Sequence, residues 1–523
     1  MFSAEDSLVL LLLLVAATAL IVVAQAVRVP YPILLVIGGL ALGFVPGIPP
    51  IELPPDLVLV AILPPLLYGT AFFTSLREFR ANMKPIVLLA VGLVLLTMVL
   101  VAVVAHELIP GISWPVAFVL GAIVSPTDPT AATAIATRLG LPRRLIGLIE
   151  GESLVNDGTA LVALRSAVMA VVAGSFSLPA ASGRFVWSVA GGIAIGLAVG
   201  FVVRQVRRRV DNPPVELTIS ILSGYFAFLP AQALGVSGVL AAVSAGIYLG
   251  WHTLELTSAR TRLQGVGLWE VIFFVLNGLL FALVGLQLPV ILDALSGISA
   301  GDLLLYAVVV TAVVMAARFL WVFPATFLSR LLRHESDEPW KSALIVSWSG
   351  MRGAVSLAAA LALPLTTDAG TPFPDRELVI FLTFSVILGT LLLQGLTLPA
   401  LIRALRLRDD EMENKEEAKA RIYAAEAALA RLEELVDEDW VREDTADRLR
   451  AMFNFRRERF RSRFDPETDG DIEDRSLSYQ RLLRELLDAE REAVLNLQRD
   501  GRIDDEVMRR VIRDLDLEEA RLN

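Results

Sequence analysis

Thirteen apolar runs crowd the chain before residue 405, at about 7–27, 31–47, 55–73, 85–105, 115–136, 145–172, 185–204, 216–234, 237–250, 268–290, 302–330, 341–364 and 377–402. About 20 apolar residues carry a helix across roughly 30 Å of hydrocarbon, where every backbone N–H and C=O must find a partner inside the protein. The expected fold class is therefore all-α: a polytopic membrane protein with 13 transmembrane helices. The runs at 31–47 and 237–250 are the shortest. No basic segment precedes the first run, which reads as a retained helix rather than a cleaved signal peptide.

Charge divides the chain in two. Of its 46 basic and 56 acidic residues, 22 and 22 lie at or before residue 404, leaving 24 against 34 beyond it, so the net charge of −10 belongs to the tail. With 55% apolar residues and a mean hydropathy of +0.63 overall, a water-soluble enzyme is excluded. The lack of cysteine removes disulfide scaffolds and thiolate metal sites. Cationic residues accumulate in cytoplasmic loops. With thirteen spans and the N-terminus outside, one set of loops holds Arg28, Arg77, Arg80, Lys84, Arg138, Arg143, Arg144, Arg204, Arg207 to Arg209, Arg260, Arg262, Arg330, Arg333, Lys341 and Arg403. The opposite set holds Arg184 and Arg376. The chain is expected in the cell membrane with residues 405–523 in the cytoplasm. Glu413–Leu435 and Leu477–Leu497 in that tail have helical periodicity, fitting a small helical bundle, a dimerising coil or a regulatory sensor. Asp465–Asp474 imitates a calcium loop, but Ser476 stands where the bidentate Glu belongs, so it reads as an exposed acidic turn.

Ionisable groups at membrane depth are costly and mark function. Run five contains Ser125-Pro-Thr-Asp-Pro129. Proline has no N–H, so Pro126 and Pro129 release the carbonyls of Ala122 and Ser125, and Thr127 and Asp128 sit in an unwound segment. Run six contains Glu150-Gly-Glu-Ser-Leu-Val-Asn-Asp157. Helical geometry puts Ser153 and Asp157 on one face and Glu152 and Asn156 on a neighbouring one, with Glu152 and Asp157 about 140° apart and therefore different in role. Glu150 lies two turns nearer the cytoplasm, in an entrance funnel or in the headgroup region. Arg318 in run eleven and Arg352 in run twelve must each meet a carboxylate or freed carbonyls. Gly350 and Gly353 flank Arg352 like a second helix break. If runs 1–6 and 8–13 are inverted repeats joined by run 7, the two breaks are equivalent, which is the sequence mark of a transporter's midplane site.

Asp128, Glu152 and Asp157 against Arg318 and Arg352 sum to one negative charge, enough for one cation or one proton. The three histidines fall at run ends or in loops, so the proton carrier should be a carboxylate. Arg165, inside run six, stands outside this sum.

Four motifs together, Ser125–Pro129, Gly151–Asp157, Ala317–Pro324 and Trp348–Ser356, resemble the monovalent cation:proton antiporters of the NhaP and sodium/hydrogen exchanger type, over roughly residues 7–404. The resemblance implies a homodimer whose membrane domain, 1–404, has scaffold helices at about 7–73 and 216–290, moving core helices at about 85–172 and 302–402, and a linker helix at about 185–204. Residues 405–523 would form a separate cytoplasmic domain. It implies that Asp157 carries the cation and the proton, with Asp128, Thr127 and Ser153 near the ion and sodium held at Asp157 and Asp128. Asn156, aspartate in the electrogenic relatives, implies one cation per proton. Glu152 would pair with Arg318, and Arg352 would sit at the helix crossover. Sodium, with lithium or potassium as alternatives, and protons are the implied partners, in a lipid bilayer; no cofactor and no nucleic acid is implied, and no motif names a tail ligand. A potassium/proton antiporter, an ion channel, and an intramembrane aspartyl protease using Asp128 and Asp157 as a dyad are the rival readings. The protease leaves Asn156 and the two arginines unexplained.

Overall fold

The computed structural model describes residues 30–45, 57–174, 177–293, 295, 297–333, 339–407, 411–461 and 469–520, together with 15, 18–20, 22 and 23. The first expected run, 7–27, and residues 465–468 of the acidic stretch therefore lie largely or wholly outside the described residues. The other twelve runs are helical. In chain order they give α1 (Tyr31–Gly43), α2 (Leu63–Phe73), α3 (Leu76–Ala81), α4 (Met83–Leu108), α5 (Trp114–Val124), α6 (Thr130–Arg138), α7 (Arg143–Val172), α8 (Leu178–Arg207), α9 (Pro213–Ala233), α10 (Gly238–Trp251), α11 (Thr253–Leu256), α12 (Ala259–Leu286), α13 (Leu288–Asp293), α14 (Ala300–Arg333), α15 (Pro339–Trp348), α16 (Ala354–Leu361) and α17 (Arg376–Leu405). Seven of them, α4, α7, α8, α9, α12, α14 and α17, are long and apolar enough to cross a membrane. No strand occurs among the described residues beyond one isolated bridge between Thr366 and Pro372.

Each of the seven long helices starts before its apolar run. The run expected at 268–290 begins nine residues earlier, at Ala259, because the Ser258 hydroxyl accepts the Thr261 N–H at 3.2 Å and caps the helix there. Likewise α8 starts at Leu178 and not at 185. An apolar run marks only the part of a helix that hydrocarbon would surround, whereas the helix continues through polar turns to its cap. The opposite happens in α1, which stops at Gly43 and not at 47.

Proline shapes α2. A π-helical turn at Leu57–Ile62 leads into Pro64 and Pro65. Pro65 has no N–H to offer the Ala61 carbonyl, which accepts the Tyr225 hydroxyl instead. The apolar core has two parts. The larger is built by α4 to α7 and α14 to α17, with α1 and the end of α12. The smaller draws Tyr68 of α2, Phe228 of α9, Ala241 of α10 and Trp269 of α12 together. Helix α8 joins the smaller part through glycines four residues apart: a Cβ on Gly192 would meet the Ser237 carbonyl at 2.6 Å, one on Gly196 would overlap the Ala241 carbonyl, and one on Gly200 would meet the Tyr248 ring at 2.9 Å. Such small-residue spacing lets two backbones approach without hydrophobic drive from the lipid.

Residues 410–523 form a second compact unit, with α18 (Glu411–Leu435), α19 (Glu443–Arg461), α20 (Asp469–Arg499) and α21 (Asp505–Glu519). The segment from Asp469 to Asp474, expected as an exposed acidic turn, opens α20 instead. Helices α18 and α19 are joined by Arg450 to Glu433 at 2.8 Å and Arg461 to Glu426 at 2.6 Å. The Arg450 guanidinium holds the Glu433 carboxyl below the usual range.

If backbone contact at the α8 glycines holds the smaller core together, Gly196→Leu should destabilise the purified protein by about 1–3 kcal/mol, the usual cost of overpacking. Gly183→Leu on the same helix, where a Cβ meets nothing within 4 Å, should leave the melting temperature unchanged.

Candidate ion-binding site

Two broken helices cross at the centre of the membrane unit. The break between α5 and α6 spans Ser125–Pro129, and the one between α15 and α16 spans Ser349–Gly353. The carbonyls that proline frees are taken up where they fall. The Ser125 hydroxyl donates to Ala122 O at 2.9 Å, and the Arg352 guanidinium donates from Nε to Val124 O at 3.0 Å and from Nη2 to Ser125 O at 3.4 Å. Its Nη1 donates to Gly350 O in its own break. Arg352 is 1% exposed and is satisfied by carbonyls alone, one of the two solutions expected for it. Return bonds tie the breaks together: Asp128 N–H donates to Met351 O at 2.8 Å, and Arg352 N–H to the Thr390 hydroxyl of α17 at 3.1 Å. Gly353 is needed for the approach, since a Cβ there would overlap the Asp128 carboxylate.

Helix α7 passes this crossing with two working faces, as its spacing requires. One face carries Glu152 and Asn156. The Arg318 guanidinium donates to both Glu152 oxygens, at 2.5 and 2.7 Å, and its Nε donates to Val346 O at 2.8 Å. Thr127 completes the cluster: its hydroxyl donates to Glu152 Oε1 at 3.3 Å and accepts from Asn156 Nδ2 at 2.8 Å. Thus Glu152, Arg318, Thr127 and Asn156 form one buried network, and Asn156 Oδ1 is left without a partner in it. Leaving either member of such a charge pair alone in the interior costs several kcal/mol.

The other face carries Ser153 and Asp157. Ser153 donates its hydroxyl to Thr127 O at 2.8 Å. Asp157 and Asp128 line a common cavity of about 90 Å³, with room for several waters by the usual allowance of roughly 10–15 Å³ each. Asp128 is braced at one oxygen by the Thr130 N–H at 2.9 Å, at the start of α6. Asp157 makes no hydrogen bond or ion pair among the described residues, although it is 6% exposed. Glu150 lines the same cavity, two turns along α7 toward its N-terminal end, and the Glu78 carboxylate is close enough to act on it electrostatically. The first turns of two half-helices, α6 and α16, also face this space through Thr130, Ala354 and Ser356, so the partial positive charge of both N-termini falls beside the aspartates.

Some features escaped the sequence reading. Asn277 of α12 and Thr70 of α2 line the cavity; an asparagine inside an apolar run was the available signal for the first. Arg207 and Glu216, each 2% exposed, approach to 3.9 Å at the junction of α8 and α9, although Arg207 reads as a loop residue in the sequence. Arg165 is exposed on α7 and is no part of the crossing, which explains why the local charge sum has no place for it.

The chain matches the family model described as "Sodium/hydrogen exchanger, transmembrane" over residues 11–404. It is 39% identical to an uncharacterized Na(+)/H(+) exchanger of Mycobacterium tuberculosis, over 99% of this chain and 97% of that one. To the sodium, potassium, lithium and rubidium/H(+) antiporter of Bacillus subtilis it is 37% identical, over 71% of this chain and 58% of the other. Its fold is similar to that of the sodium proton antiporter of Methanocaldococcus jannaschii, with a TM-score of 0.60 at 21% identity, over 76% of this chain and 97% of that one. The arrangement of charges, broken helices and apolar spans, together with these matches, identifies the chain as an integral membrane transporter of the sodium/hydrogen exchanger family.

Proposed function

We propose that the protein exchanges one sodium ion for one proton across the cell membrane, with Asp157 as the group that both ions occupy in turn. The observation that carries this reading is a buried aspartate, without a hydrogen-bond or ion-pair partner among the described residues, that lines with Asp128 a cavity large enough for water. Glu152 is neutralised by Arg318, and Arg352 offsets one of the two cavity aspartates. With Glu150 set aside as an entrance residue and Arg165 outside the crossing, one negative charge remains. A cation with Asp128, Asp157, Ser153 and water oxygens around it cancels that charge, and so does a proton on Asp157; the two therefore compete, and one replaces the other without net charge movement. Desolvation favours the uncharged form of a carboxylate and keeps the proton competitive. Thr127 and Asn156 act at one remove, by fixing the unwound segment. Glu150 stands in the entrance funnel and draws cations inward.

The cavity extends from Asp157 toward Glu150 and Thr70, at the helix ends that adjoin the arginine-bearing loops. With those loops cytoplasmic, the N-terminus is outside, the 405–523 tail is inside, and this is the inward-facing state. Alternating access then moves a core built on α4 to α7 and α14 to α17 past a scaffold that meets a second copy in a homodimer. A broader preference that includes potassium is favoured by one observation, the cations named for the Bacillus relative.

Three outcomes follow. In proteoliposomes, Asp157→Asn should abolish sodium-dependent proton flux while the protein remains folded; normal exchange by that variant contradicts the assignment. In the wild type, direct competition requires the apparent KM for sodium to rise about tenfold for each pH unit below the carrier's own titration point, by mass action, and comparing sodium, lithium and potassium under the same conditions ranks the cations. Arg318→Leu should cost about 3–5 kcal/mol of stability by stranding Glu152, and the double variant with Glu152→Leu should recover most of it, since an apolar pair replaces a buried ion pair with little loss. A double variant as unstable as the single one would remove the structural role from the pair.

A further inference from the structure

The outer side of the connecting helix α8 carries a feature unrelated to ion exchange. Between α8 and α9 runs an apolar groove of about 390 Å³, lined by Ala198, Val199, Val202, Val206, Ile219 and Phe226. Its size is within the roughly 300–1,000 Å³ of sites that hold organic ligands. The walls face outward: Val202 is 59% exposed and Phe226 51%. Beyond Val206, the last α8 residue of the lining, the chain turns basic. Arg208 N–H still donates to Arg204 O at 3.1 Å, and Arg209 N–H donates to Val206 O at 3.0 Å, so the helical path continues through the last turn. Arg209 lies in the turn that closes α8, three residues beyond Val206. The neighbouring arginines have carboxylates: Arg204 and Arg208 reach Glu255 at 2.9 and 3.8 Å, and Arg207 faces Glu216. Arg209 is exposed, and its guanidinium makes no hydrogen bond or ion pair among the described residues.

We infer that this groove is a binding site for an anionic glycerophospholipid, with an acyl chain along α8 and α9 and the phosphate on Arg209. The polarity decides the occupant. An apolar channel along a membrane-spanning helix, with an unpaired guanidinium three residues beyond its last α8 residue, matches a molecule with a chain at one end and a phosphate at the other. A second protein helix laid in the groove would leave that charge stranded. Basic positions between transmembrane helices at the cytoplasmic surface are suited to acidic headgroups, and each such charge contributes about 1 kcal/mol. The lipid would bridge α8 to α9, bracing the helix that joins the two halves of the transporter.

The test titrates the purified full-length protein, in neutral detergent, with phosphatidylglycerol, phosphatidylcholine and glycerol 3-phosphate, following bound lipid by native mass spectrometry and the melting temperature in parallel. Phosphatidylglycerol should bind and raise the melting temperature, while phosphatidylcholine and glycerol 3-phosphate do neither. Arg209→Gln should weaken binding about fivefold, the equivalent of about 1 kcal/mol; Arg209→Lys should restore part of it; Val202→Trp, which fills the groove, should block it. Both substituted sites are exposed, and the melting temperatures without lipid check that the variants fold. Arg144→Gln, at an exposed arginine in the first turn of α7, should bind like the wild type. Equal binding of the two phospholipids, an equal effect of glycerol 3-phosphate, wild-type binding by Arg209→Gln or Val202→Trp, or a loss in Arg144→Gln as large as in Arg209→Gln would each overturn the assignment.

Discussion

A carbonyl oxygen at membrane depth must have a donor, and that requirement organises the centre of this protein. Pro126 and Pro129 break α5 from α6 and strip donors from the carbonyls just before them. Arg352, from the second break, supplies donors to Val124 and Ser125, while the first break returns the Asp128 N–H to Met351. Each interruption thus satisfies the other, and neither would be stable alone in lipid. The crossing leaves Asp128 beside Gly353 and two half-helix N-termini beside the cavity. Charge is therefore focused at one point.

Around the crossing, charge is sorted by helix face. Glu152 and Asp157 are five residues apart on α7, yet one is locked to Arg318 at both oxygens and the other is free to bind. The locked pair gives the core a fixed element; in the exchange proposed above, Asp157 supplies the exchangeable one. Thr127 links the two, because its hydroxyl belongs to the Glu152 network and its carbonyl accepts from Ser153 on the cavity face. A change of occupancy at Asp157 therefore has a short path of hydrogen bonds to the rigid part of the helix bundle.

Much of this was legible in the sequence because it depended on local rules. Proline at positions 126 and 129 announced freed carbonyls, and the 3.6-residue repeat separated Ser153 and Asp157 from Glu152 and Asn156. What sequence could not give was the partner across the fold. Nothing local says that Arg352 reaches Val124, that Thr390 receives its N–H, or that Asn277 and Thr70 complete the cavity wall, because these depend on how helices far apart in the chain cross. Helix ends such as Ala259 were missed since a serine cap sets them and hydropathy does not. In the tail, α19 and α21 went unremarked, although Met508, Val511, Ile512 and Leu515 of α21 recur at helical spacing.

The central claim is that cation and proton occupy the same aspartate, and proton release on cation binding measures it most directly. Adding sodium to the unbuffered, detergent-solubilised protein, at a pH where the site is protonated, should release close to one proton for each sodium bound. Asp157→Asn should release none. Sodium binding without proton release in the wild type, or undiminished release in the variant, would contradict the account.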